Sequence, residues 1–420
     1  MSTPVYLDHA ATTPMSPAAL DAYTRHARIT GNPSSLHAAG RAARRVVEES
    51  RETIAAAVGA HPSEVIFTSG GTETDNLAIK GIYWACRAAD PRRNRILVSA
   101  VEHHAVLDPA FWLAKHCDAE VVLLPVDGDG VVDLTVLRAE LDVHGDETAL
   151  VSVMFANNEV GTIQPVHGAA QLVRAAGVPF HTDAAQAVGQ TPVSFATLGV
   201  DAMTITAHKL GGPVGIGALV ARRNLPLEGT SHGGSQERGV RSGTLDVAAI
   251  AAFAAAVDDA VGQLDTRAER MAALRDSLIA GVRSAVPAAV LRGPQGAGRL
   301  PGNVHFTFPG CEGDSLLYLL DSAGIAVSTG SACQAGIAQP SHMLLAMGLS
   351  EAEARGALRF TLGVTSTSDD VAALLAALPD AVARASTAGL SSCAPLIEPD
   401  LSSCAKSQDL VTGAETRSLP

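Results

Sequence analysis

The chain has 420 residues, nearly half of them apolar, which is enough to bury the core of two domains or of one large one. A net charge of −13 with no Lys/Arg stripe argues against a nucleic-acid-binding surface, though not against a bound anion in a local pocket. Six scattered cysteines (Cys86, Cys117, Cys311, Cys333, Cys393, Cys404) form no CxxC pair, so neither a disulfide framework nor a resident metal is expected.

The N-terminus, MSTPVYLDHAATT, has no basic or apolar leader region, and a soluble cytoplasmic enzyme is the expectation. From about residue 64 to 222, apolar runs alternate with helical patterns. EVIFTS, RILVSA, EVVLLPV, ALVSVMFAN, VPFHTDA, AMTITA and GALVAR read as strands, mostly continuous rather than alternating. Helix-like segments at Thr72–Ala89 and Val166–Ala176 lie between them, which predicts a mostly parallel α/β sheet covered on both faces. The longest apolar stretch, Val247 to Val257, is too short to cross a membrane and reads as a buried helix. A long helical stretch from Leu245 to about Ala285 follows the sheet. Short strands (VLRG, NVHFTF, LRFTLG) and a helix over Ser368–Ala385 then suggest a smaller α+β domain. From Ser386 the chain is rich in Ser, Thr, Ala and Pro and is expected to be disordered.

Three short stretches carry candidate chemistry. FTSGGTETDN joins a strand to a helix through Gly70, Gly71 and Thr72, placing backbone N–H groups and a hydroxyl where a phosphate could sit. It lacks the Walker A lysine and the GxGxxG spacing, and a tight turn explains it as well. HTDAAQ ends a strand in Asp183, which can hold a protonated ring nitrogen or simply cap a turn. Lysine is rare in this chain (Lys80, Lys115, Lys209, Lys406), and Lys209 alone follows an apolar strand and precedes a glycine-rich turn. Such a lysine suits Schiff-base chemistry, although a lysine snorkelling from the strand end fits this stretch equally well. A fourth stretch, STGSACQAG, sets Cys333 among small residues with nothing large to bury its thiol.

The order of these signals, phosphate cradle, strand-end Asp and strand-end Lys, is what a pyridoxal phosphate enzyme requires. Together with YLDHAATTP, GNPSSLH, EHHAVL, NNEVGT, HGGSQERGVRSGT, STGSAC and LRFTLG, it resembles the class V aminotransferase family of fold-type I enzymes. Within that family it is most similar to the cysteine desulfurases of the NifS/IscS group, over about Tyr6 to Ala385.

The resemblance implies a seven-stranded large domain over 21–259 and a small α+β domain over 260–385 that carries the cysteine loop. An N-terminal segment, 1–20, would pack with the small domain, and a disordered tail would occupy 386–420. Lys209 would bind the cofactor aldehyde, Asp183 the ring nitrogen, and Gln186 and Asn158 the hydroxyl side of the ring. Gly71, Thr72, Thr206 and His208 would hold the phosphate, with Thr244 reaching in from the second subunit of a homodimer. His103 would stack on the ring and move protons, and Asn32 and Arg359 would bind the substrate carboxylate.

Cys333 would take sulfur from L-cysteine as a persulfide, leaving alanine, for acceptors such as an iron–sulfur scaffold or a tRNA-thiolation enzyme. It would ligate an iron–sulfur cluster at most transiently. A selenocysteine lyase or an aminotransferase on the same fold is the alternative, and an amino-transfer enzyme has no use for the loop thiol. Two positions depart from the pattern: His104 stands where several relatives have Lys, and Ser235 interrupts a glycine run.

Overall fold

The structure, a computed structural model, describes residues 4–330 and 340–392. A two-residue strand, β1 (Val5–Tyr6), opens the described chain. All seven apolar runs then form strands of one sheet: β2 (Val65–Thr68), β3 (Arg95–Ser99), β4 (Glu120–Leu124), β5 (Thr148–Ser152), β6 (Phe180–Asp183), β7 (Ala202–Thr206) and β8 (Gly217–Ala221). Their order is β2-β8-β7-β6-β5-β3-β4. Only β8 runs against its neighbours, β2 and β7; the other pairs are parallel.

Side chains alternate between two cores, one on each face. Ile66, Ile96 and Val98 pack under helices Gly71–Ala89 and His104–Cys117, while Phe67, Leu97 and Val151 face helices Val166–Ala175 and Val247–Gly262. The strands read as continuous apolar runs because both faces are covered. The edge strand β4 is the exception, with exposed and half-buried positions.

The stretch after Leu245 is two helices rather than one. Val247–Gly262 and Leu264–Ala285 meet at 71°, because Gln263 leaves helical geometry (φ −113°, ψ 15°). The first helix is alanine-rich and buried, and it packs against helices Pro17–His26 and Ala38–Ala57. The second begins LDTRAER, with exposed charged positions in its first turns, and buries Met271, Leu278 and Val282 further on. No single helix among the described residues is long and apolar enough to cross a membrane.

Beyond it, β9 (Val290–Leu291), β10 (Asn303–Thr307) and β12 (Ala357–Thr361) form an antiparallel sheet, with β11 (Ile325–Ala326) between them in the chain. This sheet has its own core, including Phe306, Phe308, Phe360 and Leu374. The N-terminal segment joins that core: β1 pairs with β11, and Leu7 is fully buried in it.

The expected disorder from Ser386 is corrected at its start. Helix Ser368–Ser392 continues through residues 386–392, since no proline interrupts it there and extending a formed helix costs far less than nucleating one. The rest of that tail, with Cys393 and Cys404, lies outside the described residues, as does Cys333.

Candidate active site

Parallel strands deliver their C-terminal ends to one edge of a sheet, and loops there converge on a crevice. Here β3 leads to His103, β5 to Asn158, β6 ends at Asp183, and β7 turns through a 3₁₀ segment into Lys209. All four side chains line one cleft. Gly71, Thr72, Gln186, Thr206, His208 and Arg359 line it too, so ten of the expected site residues meet there.

Helix Gly71–Ala89 points its N-terminus into this cleft. Its cap residue, Gly70, has φ +138° and offers no side-chain cap, which leaves the first-turn N–H groups available to an anion. A Cβ at Gly71 would already touch Thr206 at 3.8 Å. Thr206 Oγ1, Asn158 Oδ1 and Arg359 Nε are buried polar atoms without a partner among the described residues.

His103 caps helix His104–Cys117: its Nδ1 accepts the Ala105 N–H at 3.1 Å. The cap fixes the tautomer and leaves Nε2 as the other ring nitrogen. Burial, then the neighbouring Lys209 charge, lowers its pKa to about 4, so the ring is neutral near pH 7. Lys209 is half-buried, and desolvation lowers its pKa against the opposing pull of Asp183.

Asp183 Oδ1 accepts the Ala185 N–H at 2.8 Å. Burial raises its pKa, while that hydrogen bond and Lys209 pull it back. Gln186 Nε2 donates to the Ala10 carbonyl at 2.9 Å, tying the N-terminal segment to the cleft floor. Arg359, on β12, spans the two sheets' territories: Nη1 donates to the Asn158 carbonyl at 2.9 Å and Nη2 pairs with Asp8 at 2.7 Å.

Two buried carboxylates not expected from the sequence stand beside these residues. Asp75, one turn into the cradle helix, lines the cleft with Oδ1 unpartnered and His181 Nε2 3.7 Å away. Burial first, and Asp183 second, push its pKa well above the ordinary range. Glu102 Oε1 accepts the Met154 N–H at 2.5 Å, and burial followed by the Asp183 charge raises its pKa well above the usual carboxylate range. Burial disfavours the charged form of all three acids, and for Asp183 a backbone donor and Lys209 oppose it.

Two expected residues are not brought into the cleft. Asn32 is exposed in the loop before helix Ala38–Ala57, where its Oδ1 accepts the Ser34 N–H at 2.9 Å. Thr244 is also exposed and does not line the cleft. The segment leading to Thr244 is pinned by Glu237, whose carboxylate accepts from Arg51 at 2.8 and 2.7 Å and from the Phe67 N–H at 2.7 Å. Cys333 lies outside the described residues, but Ser328 and Gly330, at the near end of its segment, line the cleft.

The chain matches the class V aminotransferase family over residues 5–374. It is 56% identical over 385 residues to an "IscS-like cysteine desulfurase" of Mycobacterium tuberculosis, covering 92% of this chain and 98% of that protein. This chain belongs to the class V aminotransferases, among the IscS-like cysteine desulfurases. A solved "NifS-like protein" superposes with a TM-score of 0.83 at 35% identity, covering 91% of this chain and all of that one. The solved structure of "SspA in complex with cysteine" superposes with a TM-score of 0.73 at 30% identity, covering 85% of this chain and 98% of that one.

Class V aminotransferases use pyridoxal phosphate, and the cleft fits such a group. It offers an open helix N-terminus with an unpartnered Thr206 hydroxyl, a buried carboxylate and a desolvated amine, one for each of the three chemically distinct ends of that cofactor.

Proposed function

We propose that this protein is a pyridoxal phosphate-dependent cysteine desulfurase that converts L-cysteine to alanine and moves the sulfur onto Cys333. The observation that carries the reading is the convergence of Lys209, Asp183, His103 and Arg359, from four separate chain segments, on one buried cleft. The structural relative SspA was solved in complex with cysteine, which supports the choice of substrate.

The bound cofactor would supply an electron sink that weakens the Cβ–S bond of the substrate. The rest falls to the chain. Gly71, Thr72, Thr206 and His208 would hold the phosphate, and Lys209 the aldehyde. Asp183 would hold the ring nitrogen, with Gln186 and Asn158 beside the ring hydroxyl. Arg359 would bind the substrate carboxylate through its planar fork, already oriented by Asp8 and the Asn158 carbonyl. Asn32 would join it from outside this cleft as described. Lys209 and neutral His103 are the groups able to carry protons at the substrate Cα.

Sulfur capture needs a thiolate at Cys333. Its attack breaks Cβ–S and forms S–S; Cβ takes a proton, and alanine plus a Cys333 persulfide result without an added oxidant. Sequence spacing supports that role: Cys333 is three residues past Gly330, which lines the cleft. The persulfide would then pass to a sulfur acceptor, in a cytoplasm that keeps such thiols reduced.

Asp183→Asn tests the ring-nitrogen contact. Losing a buried charged hydrogen bond costs about 1.5–3 kcal/mol, so cofactor affinity should drop by roughly 10- to 100-fold in equilibrium dialysis. An unchanged affinity would remove Asp183 from the site.

We also propose a homodimer, in which exposed Thr244 completes the phosphate site of a second copy. Sedimentation should give twice the 42.9 kDa chain mass, and Thr244→Ala should weaken cofactor binding without splitting the dimer. A fully active monomer sinks this part.

A further inference from the structure

The chain after β1 runs beside β12 as a short strap. Asp8 bridges to Thr361 in parallel register, and the Thr361 N–H donates to the Leu7 carbonyl at 2.7 Å. The Ala10 N–H donates to Thr361 Oγ1 at 2.9 Å, and the Tyr6 hydroxyl donates forward to the Thr12 carbonyl at 2.9 Å. The same strap is fixed to the large domain. Gln186 Nε2 donates to the Ala10 carbonyl, and the Thr13 N–H donates to the His208 carbonyl at 2.9 Å. Ala10 and Ala11 line the cleft between these two anchorages.

Asp8 is the strap residue whose side chain reaches Arg359. Its Oδ1 accepts from Arg359 Nη2 at 2.7 Å, with the guanidinium side chain 5% exposed and the aspartate side chain 21% exposed. The Asn158 carbonyl takes Nη1 at 2.9 Å, and Nε has no partner among the described residues. Both terminal nitrogens are thus held by acceptors from outside β12, one in each domain's chain segment.

A long arginine side chain loses rotamer freedom when it is fixed, and a site that has fixed it already does not meet that cost again when a ligand arrives. The alternative to Asp8 is close by. Buried Glu159 feels the Arg359 charge, which pulls its pKa down against the upward push of burial. A guanidinium released by Asp8 therefore has another anion to turn to.

We infer that Asp8 is a positioning residue, held on the N-terminal strap, that aims the guanidinium of Arg359 at the α-carboxylate of the substrate. This rests on the reading of Arg359 as the carboxylate-binding residue. Orientation set before binding should appear in affinity for carboxylate-bearing amines rather than in the chemical step.

The holoenzyme tests the idea with two amines that differ by one carboxylate, L-alanine and ethylamine, as inhibitors competing with cysteine. In Asp8→Ala the Ki of alanine should rise by roughly 10- to 50-fold, the scale of a lost charge-assisted hydrogen bond. The Ki of ethylamine should not change. KM for cysteine should rise with the alanine Ki, while kcat and cofactor content stay near parent. A merely structural loss would move both amines and the cofactor content together. Asp8→Asn keeps an oxygen acceptor of the same reach and should recover most of the alanine affinity. Thr361→Val removes the acceptor of the Ala10 N–H without altering Asp8 or Arg359. It should weaken alanine alone, by less, and Thr361→Ser should restore it, which gives a second route if Asp8→Ala folds poorly.

An Asp8→Ala enzyme with the parent Ki for alanine overturns the inference. So does one that binds alanine more tightly, since Asp8 would then compete with the substrate for the guanidinium. If Arg359→Ala leaves the alanine Ki unchanged, the carboxylate reading of Arg359 fails first; if Arg359→Ala loses alanine while Asp8→Ala does not, only the positioning role fails.

Discussion

Lys209→Ala should yield a folded protein to which no cofactor can be fixed covalently. Borohydride treatment of the parent holoenzyme should leave the cofactor mass on the peptide containing Lys209, and the variant should show none on any lysine. Of the three lysines within the described residues, Lys80 stacks its ammonium 4.6 Å from the Trp112 ring centre and Lys115 sits in the last turn of helix His104–Cys117. Neither lines the cleft. Turnover of cysteine should fall at least about a thousandfold, since on the proposed reading this side chain is both the attachment point and a proton carrier.

Folding should survive. Replacing a half-buried ammonium by a methyl removes a desolvated charge, although it also leaves Asp183 without the cation that opposes it. Covalent labelling of a different lysine in the parent would overturn the assignment.

Most of the fold was legible because its signals are local and repeated. Most of the seven runs are continuously apolar because both faces of the sheet are covered, the edge strand β4 excepted. The site residues at strand ends were legible for a related reason, since a polar residue that closes an apolar run must sit at the sheet edge. What escaped depends on tertiary context. The break at Gln263 has no proline; the only cues are Gly262 and the change from an all-apolar helix to DTRAER.

Asp75 reads in TETDN as ordinary surface charge. It does, however, share a helical face with Ala78, Ile79, Ile82 and Cys86, all buried, and that alignment at i, i+3, i+4, i+7 and i+11 was the clue. Asn32 and Thr244 show the converse case. Both stand exposed and outside the cleft of one chain.

Cys333→Ala should divide the reaction in two. Cofactor retention would rest on Lys209, Asp183 and the N-terminus of helix Gly71–Ala89, which line the cleft and do not involve the thiol. Cofactor content should therefore match the parent, and adding cysteine should still perturb the visible spectrum. Sulfur removal should not follow. Alanine formation should drop at least about a thousandfold, the scale on which enzymes lose rate when a nucleophile is removed.

No other cysteine within the described residues is placed to rescue the variant. Cys86 and Cys311 are buried with their thiol pKa pushed up by desolvation, and neither they nor Cys117 line the cleft. In the parent, mass spectrometry after one turnover should find the added sulfur on the peptide holding Cys333. A Cys333→Ala enzyme that makes alanine at near-parent rate would mean that the Cβ–S bond is broken without a protein thiol. The chemistry would then be that of a lyase working on the same cleft, and the glycines around Cys333 would need another explanation.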